Sequence, residues 1–381
     1  MPNVYTAYQL VTDADTRHKF EQAWHTRLPE VPGLTTTEHV GGILDGHVKA
    51  WYIMGETLRM SEPHINHTRH AVEQLEFYVA HDIFINETAR YADVILPAAA
   101  FAEKDGTFTN SDRRVQRVRK AIDPPGQARP DWEIVSEVAR RTIEKIAAEI
   151  DQQPDGAAQA LDQVIAQNKE KMLANWRYSH PRDIWEEMRQ LTPPWGGITY
   201  ERIERDGGGI HWPCPSDDHP GSPYLFEEDF PSGRGKFFAV EFTDESERPD
   251  EEYPLTLSTG RLLYHWHGGT MTRVSSLNDI WPECTVEMHP KDAARLALEA
   301  GDWVDVSSRR GKITARLLVT ERSPEGTIFI PFHFAEAAAN VLTNNLIDER
   351  AKIPDYKVCG VKVERAAEIP DDRNGTDSTL E

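Results

Sequence analysis

Cysteine is scarce in this sequence. There are three in 381 residues, Cys214, Cys284 and Cys359, and no two stand in a Cys-x-x-Cys spacing. A local thiolate metal or redox motif is thereby excluded, and buried structural thiols are the expectation. Long apolar runs are also missing: none approaches the roughly 18 residues of a membrane-spanning helix. The opening Met1-Pro2-Asn3-Val4-Tyr5 carries no basic segment, apolar stretch or twin-Arg signal. The expectation is a cytoplasmic chain without membrane insertion. Basic charge is the third shortage, with 42 Lys and Arg against 63 Asp and Glu and a net charge of −21. Such a surplus repels phosphate backbones and anionic membranes, so nucleic acid is not an expected partner.

What is present is enough to fold. Hydrophobic residues make up 39% of the chain, including 10 Trp, 11 Tyr and 13 Phe, which argues against wholesale disorder. A chain of this length exceeds one ordinary core, so several packed units are expected. The pattern predicts a helix over Asp15 to Arg27, ending before Pro29, and a strand-like run from Val48 to Met54 closed by Gly55. A helical pattern from Pro63 to Leu75, a strand over Glu76 to His81, a short helix around Glu87 to Tyr91 and a strand over Asp93 to Leu96 follow. Alternating strand and helix implies a parallel sheet, whose ligands dock beyond the carboxyl ends of the strands. That rule places Gly55, Glu56, Asp82, Asn86 and Pro97 on one rim.

Residues 98 to 120 read as a polar loop, and a helix capped by Asp131 closes the first domain near Ile150. Residues 151–252, with Pro and Gly clusters and one helical piece from Ala157 to Trp176, read as an irregular connector. The acidic residues of Asp244-Glu245-Ser246-Glu247 and Asp250-Glu251-Glu252 are expected as solvated surface. Beyond Pro254 short strand-like runs begin at Leu255, Trp303, Lys312 and Thr327, which suggests a barrel. Residues 366–381 read as a disordered tail. Trp132, Trp176 and Trp195 are expected to pack.

Several motifs carry a family likeness. Met54-Gly55-Glu56, His81-Asp82-Ile83-Phe84, Ala92-Asp93-Val94-Ile95-Leu96-Pro97 and Glu103-x-x-Gly106-Thr107-Phe108-x-Asn110-x-x-x-Arg114-x-Gln116 resemble the third domain of the molybdopterin oxidoreductases. Gly260-Arg261-x-x-Tyr264-His265-Trp266-His267, Thr270-Met271-Thr272-Arg273 and Pro354-x-Tyr356-Lys357 look like the fourth domain of formate dehydrogenase catalytic subunits. The resemblance implies an α/β domain with a parallel sheet over 1–150. It also implies a double-psi β-barrel over 253–365, of the molybdopterin dinucleotide-binding, aspartate decarboxylase-like kind.

The same resemblance implies a bis-molybdopterin guanine dinucleotide cofactor carrying Mo or W, a nearby iron–sulfur cluster, and two-electron oxidation of formate to carbon dioxide. In such enzymes the cluster cysteines and the metal ligand precede the segments matched here. The expectation is therefore a cofactor-holding part whose iron–sulfur and metal-ligand half lies on a separate or missing N-terminal polypeptide. No residue is nominated as catalytic or as a metal ligand. A non-catalytic dinucleotide-binding module, or part of a nitrate-reductase-like enzyme, stays open beside that reading.

Residue by residue, Gly55 and Glu56 either approach phosphate, guanine or ribose or simply turn the chain. Asp82 either accepts from a guanine amino and ring N–H pair or caps a helix. Asn86 shares that rim. Gly106, Thr107 and Asn110 offer donors to pterin or pyrophosphate, while Glu103, Arg114 and Gln116 either touch the cofactor or brace the loop. Arg261 after Gly260 suits pyrophosphate as a fixed guanidinium fork. His265 and His267 face one way on an extended segment and are read as pterin or phosphate partners, with satisfied structural histidines as the bland alternative. Thr270 and Met271 continue that wall, and Asn340, Tyr356 and Lys357 complete the set. The acidic surface suits a high-salt cytoplasm, so the melting temperature is expected to rise from low to molar salt. A salt-independent melting curve would remove that reading.

Overall fold

The computed structural model describes residues 2–152, 160–227, 230, 232–242, 244 and 247–369. The expected tail from residue 370 onward, the start of the helix expected at Ala157, and Glu245 and Ser246 lie outside the described residues. The chain forms two compact units, Met1–Gly33 with Leu96–Ala239, and Leu34–Ile95 with Val240–Glu381. These units do not coincide with boundaries at 150 and 252, because compactness follows contacts made far apart in sequence. In the second unit Asn340 Nδ2 donates to the Met60 carbonyl at 2.8 Å and the Tyr356 hydroxyl donates to the Ser61 carbonyl at 2.6 Å.

The first sheet follows the predicted order. Its strands are β1 (Ala50–Met54), β2 (Phe77–Asp82) and β3 (Val94–Pro97), arranged β1-β2-β3. β1 runs parallel to β2 from Ala50↔Phe77 to Met54↔His81, so both chains leave the sheet at one edge. Between them the helix Ile65–Val72 buries Ile65, Thr68, Ala71 and Val72, a helical spacing that covers one face of the sheet. Ile53, Leu58, Val72, Tyr78, Ala80 and Ala89 form the core beneath it.

The polar stretch at 98–120 is not a loop but a hairpin. β4 (Gly106–Thr109) pairs antiparallel with β5 (Arg114–Val118), and β6 (Ile210–His211) adds to β5 through Arg114↔His211. Asn110 Oδ1 accepts from the Arg114 amide at 3.0 Å across the turn, where Arg113 takes φ +70°. Within β5 only Val115 is fully buried, and a single buried position leaves no periodicity to detect.

The supposed connector is also more ordered than expected. It contains the helices Ala160–Asn175, Pro181–Leu191 and Tyr200–Asp206. Its Trp185, Ile198, Tyr200, Ile203, Ile210 and Cys214 form a core with Val115 of β5. Trp195 stacks on Trp185 at 5.4 Å and Trp176 packs against Ile143, Met172 and Leu173. Arg202 is buried there and donates to the carbonyls of Gly197 at 2.6 Å, Ser216 at 3.2 Å and His219 at 2.7 Å. Its guanidinium thus satisfies carbonyls of a loop that has no regular partner strand.

The remaining strands close into a barrel: β7 (Leu255–Gly260), β8 (Thr285–Met288), β9 (Trp303–Ser307), β10 (Lys312–Val319), β11 (Thr327–Pro331) and β12 (Cys359–Arg365). Their order around the ring is β10-β8-β11-β7-β12-β9. β7 is parallel to β11 and β8 to β10, while the other pairs are antiparallel. This is the expected six-stranded barrel, with β8 and β12 added to the four runs recognised in the sequence. Leu255, Leu257, Val286, Met288, Val304, Val306, Ile328, Ile330 and Val361 point inward and are fully buried. Each such side chain contributes about 1.5–3 kcal/mol of burial.

The three cysteines are free and buried, as expected. Burial raises the thiol pKa of Cys284 and pushes that of Cys359 up to about 11, which leaves both as inert thiols. Glu247 departs from the solvated-surface expectation. It is mostly buried, pairs with Arg309 at 2.8 Å and Arg310 at 2.6 Å, and accepts from the Gly360 amide at 3.0 Å.

Gly197 offers a direct check on the connector core. A Cβ there would lie 1.9 Å from the Ser216 carbonyl oxygen, so Gly197→Ala forces the backbone apart. A loss of about 3 kcal/mol is expected, read as a lower urea midpoint at unchanged slope.

Candidate functional site

The carboxyl ends of β1 and β2 meet as the parallel register requires. Gly55 follows β1 with φ +66° and its amide donates to the His81 carbonyl at 2.9 Å. A left-handed turn of this kind favours glycine. The Glu56 carboxylate turns back to accept from the Thr57 amide at 2.9 Å and the Ser61 hydroxyl at 2.8 Å. Asp82, half-buried at the end of β2, accepts from the Ile83 amide at 2.7 Å and Asn86 Nδ2 at 2.8 Å. Burial raises its pKa above the ordinary carboxylate value against those bonds. The Asn86 carbonyl oxygen in turn accepts from the Thr88 and Ala89 amides at 3.0 and 2.9 Å. Asn86 is therefore a brace for Asp82.

The barrel contributes a second wall in the same unit. β7 and β11 end side by side, with Gly260 opposite Pro331, and Arg261 leaves β7 exposed, above the Phe332 ring at 5.3 Å. Its guanidinium lies 3.2 Å from His267 Nδ1. Lys357 donates to the Thr259 carbonyl. Loss of solvent around its ammonium, and then the Arg261 charge, hold its pKa below the ordinary lysine range. Tyr356 reaches the Ser61 carbonyl, and the Asn340 side chain donates to Met60 while its Oδ1 is buried without a partner. A Cβ on Gly268 would lie 3.0 Å from Met60 Cβ, which sets the Thr270–Met271 loop against the segment following β1. Met271 is exposed beside it.

His265 and His267 do not form a pair. His265 is buried, donating from Nε2 to the Trp281 carbonyl at 2.7 Å, with Nδ1 3.2 Å from the Thr272 hydroxyl. The tautomer follows from those partners. Its bonds match the structural alternative, whereas His267 stays exposed beside Arg261.

The structure thus gathers Gly55, Glu56, Asp82, Asn86, Gly260, Arg261, His265, His267, Thr270, Met271, Asn340, Tyr356 and Lys357 in one unit. Glu103, Gly106, Thr107, Asn110, Arg114 and Gln116 lie in the other. There Glu103 accepts from the Ala100 amide at 2.8 Å and Arg114 Nε lies 3.3 Å from His211 Nε2. Gly106 and Thr107 open β4, facing Val118 and Arg117, and Gln116 sits opposite Phe108.

With the geometry in place, likeness to known proteins becomes informative. Residues 7–141 match the model of the molybdopterin oxidoreductases, and residues 255–360 match the "Molydopterin dinucleotide binding domain". This chain belongs to the molybdopterin oxidoreductases. Its relatives include the F420-dependent formate dehydrogenase subunit alpha of Methanocaldococcus jannaschii, 44% identical over 96% of this chain and 50% of the relative. Formate dehydrogenase H of Escherichia coli is 34% identical over 97% of the chain and 48% of the relative. The assimilatory nitrate reductase catalytic subunit of Bacillus subtilis is 34% identical over 93% and 48%. The chain spans about half the length of the curated relatives it matches. Among solved structures, acetylene hydratase from Pelobacter acetylenicus shares the fold, with TM-score 0.60 and 15% identity over 96% of this chain and 51% of that one.

Both matched models name a molybdopterin, and the donor set fits one. Among the described residues no carboxylate lies within ion-pair distance of Arg261 or Lys357, so two neighbouring cations face solvent without neutralisation. Anionic phosphate suits that pair. Among the described residues no group of three or more His, Cys, Asp or Glu could hold a metal ion, and no helix is long and apolar enough to cross a membrane.

Sequence reasoning missed His333. Its Nε2 accepts from the Leu262 amide at 2.8 Å, and its Nδ1 donates to the His267 carbonyl. One ring thereby pins both ends of the segment that carries Arg261 and His267. The signal available was a lone His after β11, without a motif around it.

Burial lowers the His333 pKa from 6.5 to about 4. The unfolded ring takes up a proton near pH 6.5 that the folded ring refuses until about pH 4. Stability from this group is therefore complete above pH 6.5 and falls as pH drops through that window. Urea midpoints at pH 7 and 4.5 should show a decline that is about 2 kcal/mol smaller in His333→Gln than in the unaltered protein.

Proposed function

We propose that this chain is the cofactor-holding part of a cytoplasmic formate dehydrogenase that oxidises formate to carbon dioxide by two electrons. It would act with a further polypeptide or segment bearing the iron–sulfur cluster and the metal ligand. The observation that carries the reading is the pair Arg261 and Lys357, without carboxylate partners among the described residues, at the rim where β7 and β11 end. The likeness to formate dehydrogenase subunits supports the substrate.

In this reading Arg261 and Lys357, with His267, bind the pyrophosphate of a bis-molybdopterin guanine dinucleotide. Asp82 accepts from guanine N–H groups, with Asn86 holding its carboxylate in place. The open backbone at Gly55, with Glu56, lets the nucleotide approach the sheet edge. Tyr356, Asn340 and His265 fix the walls, and Thr270 and Met271 exclude water from the face they cover. In the other unit, Gly106, Thr107 and Gln116 are proposed as pterin-binding donors in their own right, with Glu103, Asn110 and Arg114 shaping that hairpin. When bound, the metal–pterin group supplies the two-electron chemistry, and the protein supplies orientation and electrostatics. We further propose that functional modules run over 1–150 and 253–365, joined by 151–252, even though the compact units interleave.

The test is anaerobic purification of the assembled enzyme from its host, with metal and pterin analysis. Molybdenum or tungsten, the dinucleotide and formate-dependent dye reduction are expected. Arg261→Ala and Lys357→Ala should each lower retained dinucleotide about tenfold, the equivalent of one charge-assisted contact. Full cofactor content in both variants would overturn the site. An assembled, metal-loaded enzyme inert to formate but active on nitrate would overturn the substrate, and a cofactor-bearing protein inert to both would leave a binding module.

A further inference from the structure

A cavity lies in the unit that holds the barrel, and it does not depend on the cofactor reading. Its volume is about 380 Å³, and it opens between the helix Thr36–Leu44 and the segment from Glu62 to Thr68. Leu34, Val40, Pro63 and Ile347 supply apolar wall, while Glu38, Asp45 and Glu62 supply carboxylates. His47 and His67 are its other titratable groups, and no Lys or Arg lines it.

The three carboxylates differ in one respect. Glu38 pairs with Lys352 at 3.0 Å and accepts from the Thr35 amide at 3.0 Å. Asp45 is exposed to water. Glu62 has 7% of its surface exposed, and among the described residues its carboxylate makes no hydrogen bond and no ion pair. Burying a carboxyl without a partner costs several kcal/mol when it is ionised. Loss of solvent, and then repulsion from Glu56, raise its pKa to about 7. Near neutrality it is thus part-ionised and lacks a counter-group.

We propose that this cavity binds a small aliphatic ammonium ion, with Glu62 as its counter-charge. The apolar wall receives the carbon chain, and Thr37 and Thr68 at the lining offer hydroxyl acceptors to the remaining N–H groups. An inorganic divalent ion is a poorer occupant, because among the described residues no three ligating side chains converge. The volume exceeds what a few waters need, at about 30 Å³ each, so a chain of several carbons fits.

The experiment is calorimetric titration of the full chain with n-butylammonium chloride, and with n-butanol at matched ionic strength. Saturable one-to-one binding of the ammonium, and none of the alcohol, is expected. Glu62→Gln should weaken binding at least about tenfold. Gly41→Leu is a second variant, since Gly41 lines the cavity and a Cβ there meets nothing within 4 Å. It should abolish binding while the melting temperature holds or rises, because glycine within a helix is the poorer helix former. No saturable binding by the unaltered protein, equal binding of the alcohol, or undiminished binding in Glu62→Gln overturns the proposal. If Glu62→Gln fails to fold, undiminished binding in Gly41→Leu overturns it equally.

Discussion

Parallel pairing of β7 with β11 inside a closed ring is the constraint on which the barrel rim at Arg261 depends. Two strands that begin more than 70 residues apart, Leu255 and Thr327, end at the same level because their register runs Thr256↔Thr327 to Gly260↔Pro331. Closure removes the free edges along which such strands could slip. The chain that leaves β7 at Arg261 and the chain that leaves β11 at Phe332 therefore emerge together. His333 can then reach across to Leu262 and His267, and a flexible excursion becomes a fixed wall.

Local order at this rim is maintained by buried, hydrogen-bonded rings, and the exposed side chains stand on the face. His333 and His265 are buried and hydrogen-bonded to backbone or hydroxyl partners, and for His333 burial disfavours an added proton. Arg261, His267 and Lys357 stand outside them. The separation matters because a cation already paired with a carboxylate would have to surrender that partner to take a phosphate. In a chain with net charge −21, neither Arg261 nor Lys357 has a carboxylate partner among the described residues.

Elsewhere the long irregular segments are held by charged groups bonded to backbone. Arg202 gathers three carbonyls of the 197–219 loop, and Glu247 joins Arg309, Arg310 and the Gly360 amide. Each replaces a strand partner that the local backbone lacks. These are the places where reading polarity as solvent exposure fails, because a charge that satisfies several backbone groups can be buried.

The sequence by itself determined the alternation of strand and helix from Val48 to Pro97, the β-rich texture beyond Pro254, and the motifs around Gly55, Asp82 and Arg261. These signals are local: periodicity, turn residues and fixed spacing act within a few turns of chain. It did not reveal the hairpin at Gly106–Val118, whose single buried residue carries no period, or the strands at Thr285 and Cys359, which gain their identity from partners far away. Tertiary structure alone decided that His265 is buried and hydrogen-bonded to the Trp281 carbonyl and that His333 pins the rim. It also left Glu62 buried without a counter-charge among the described residues, since burial and partnership depend on which distant segments meet.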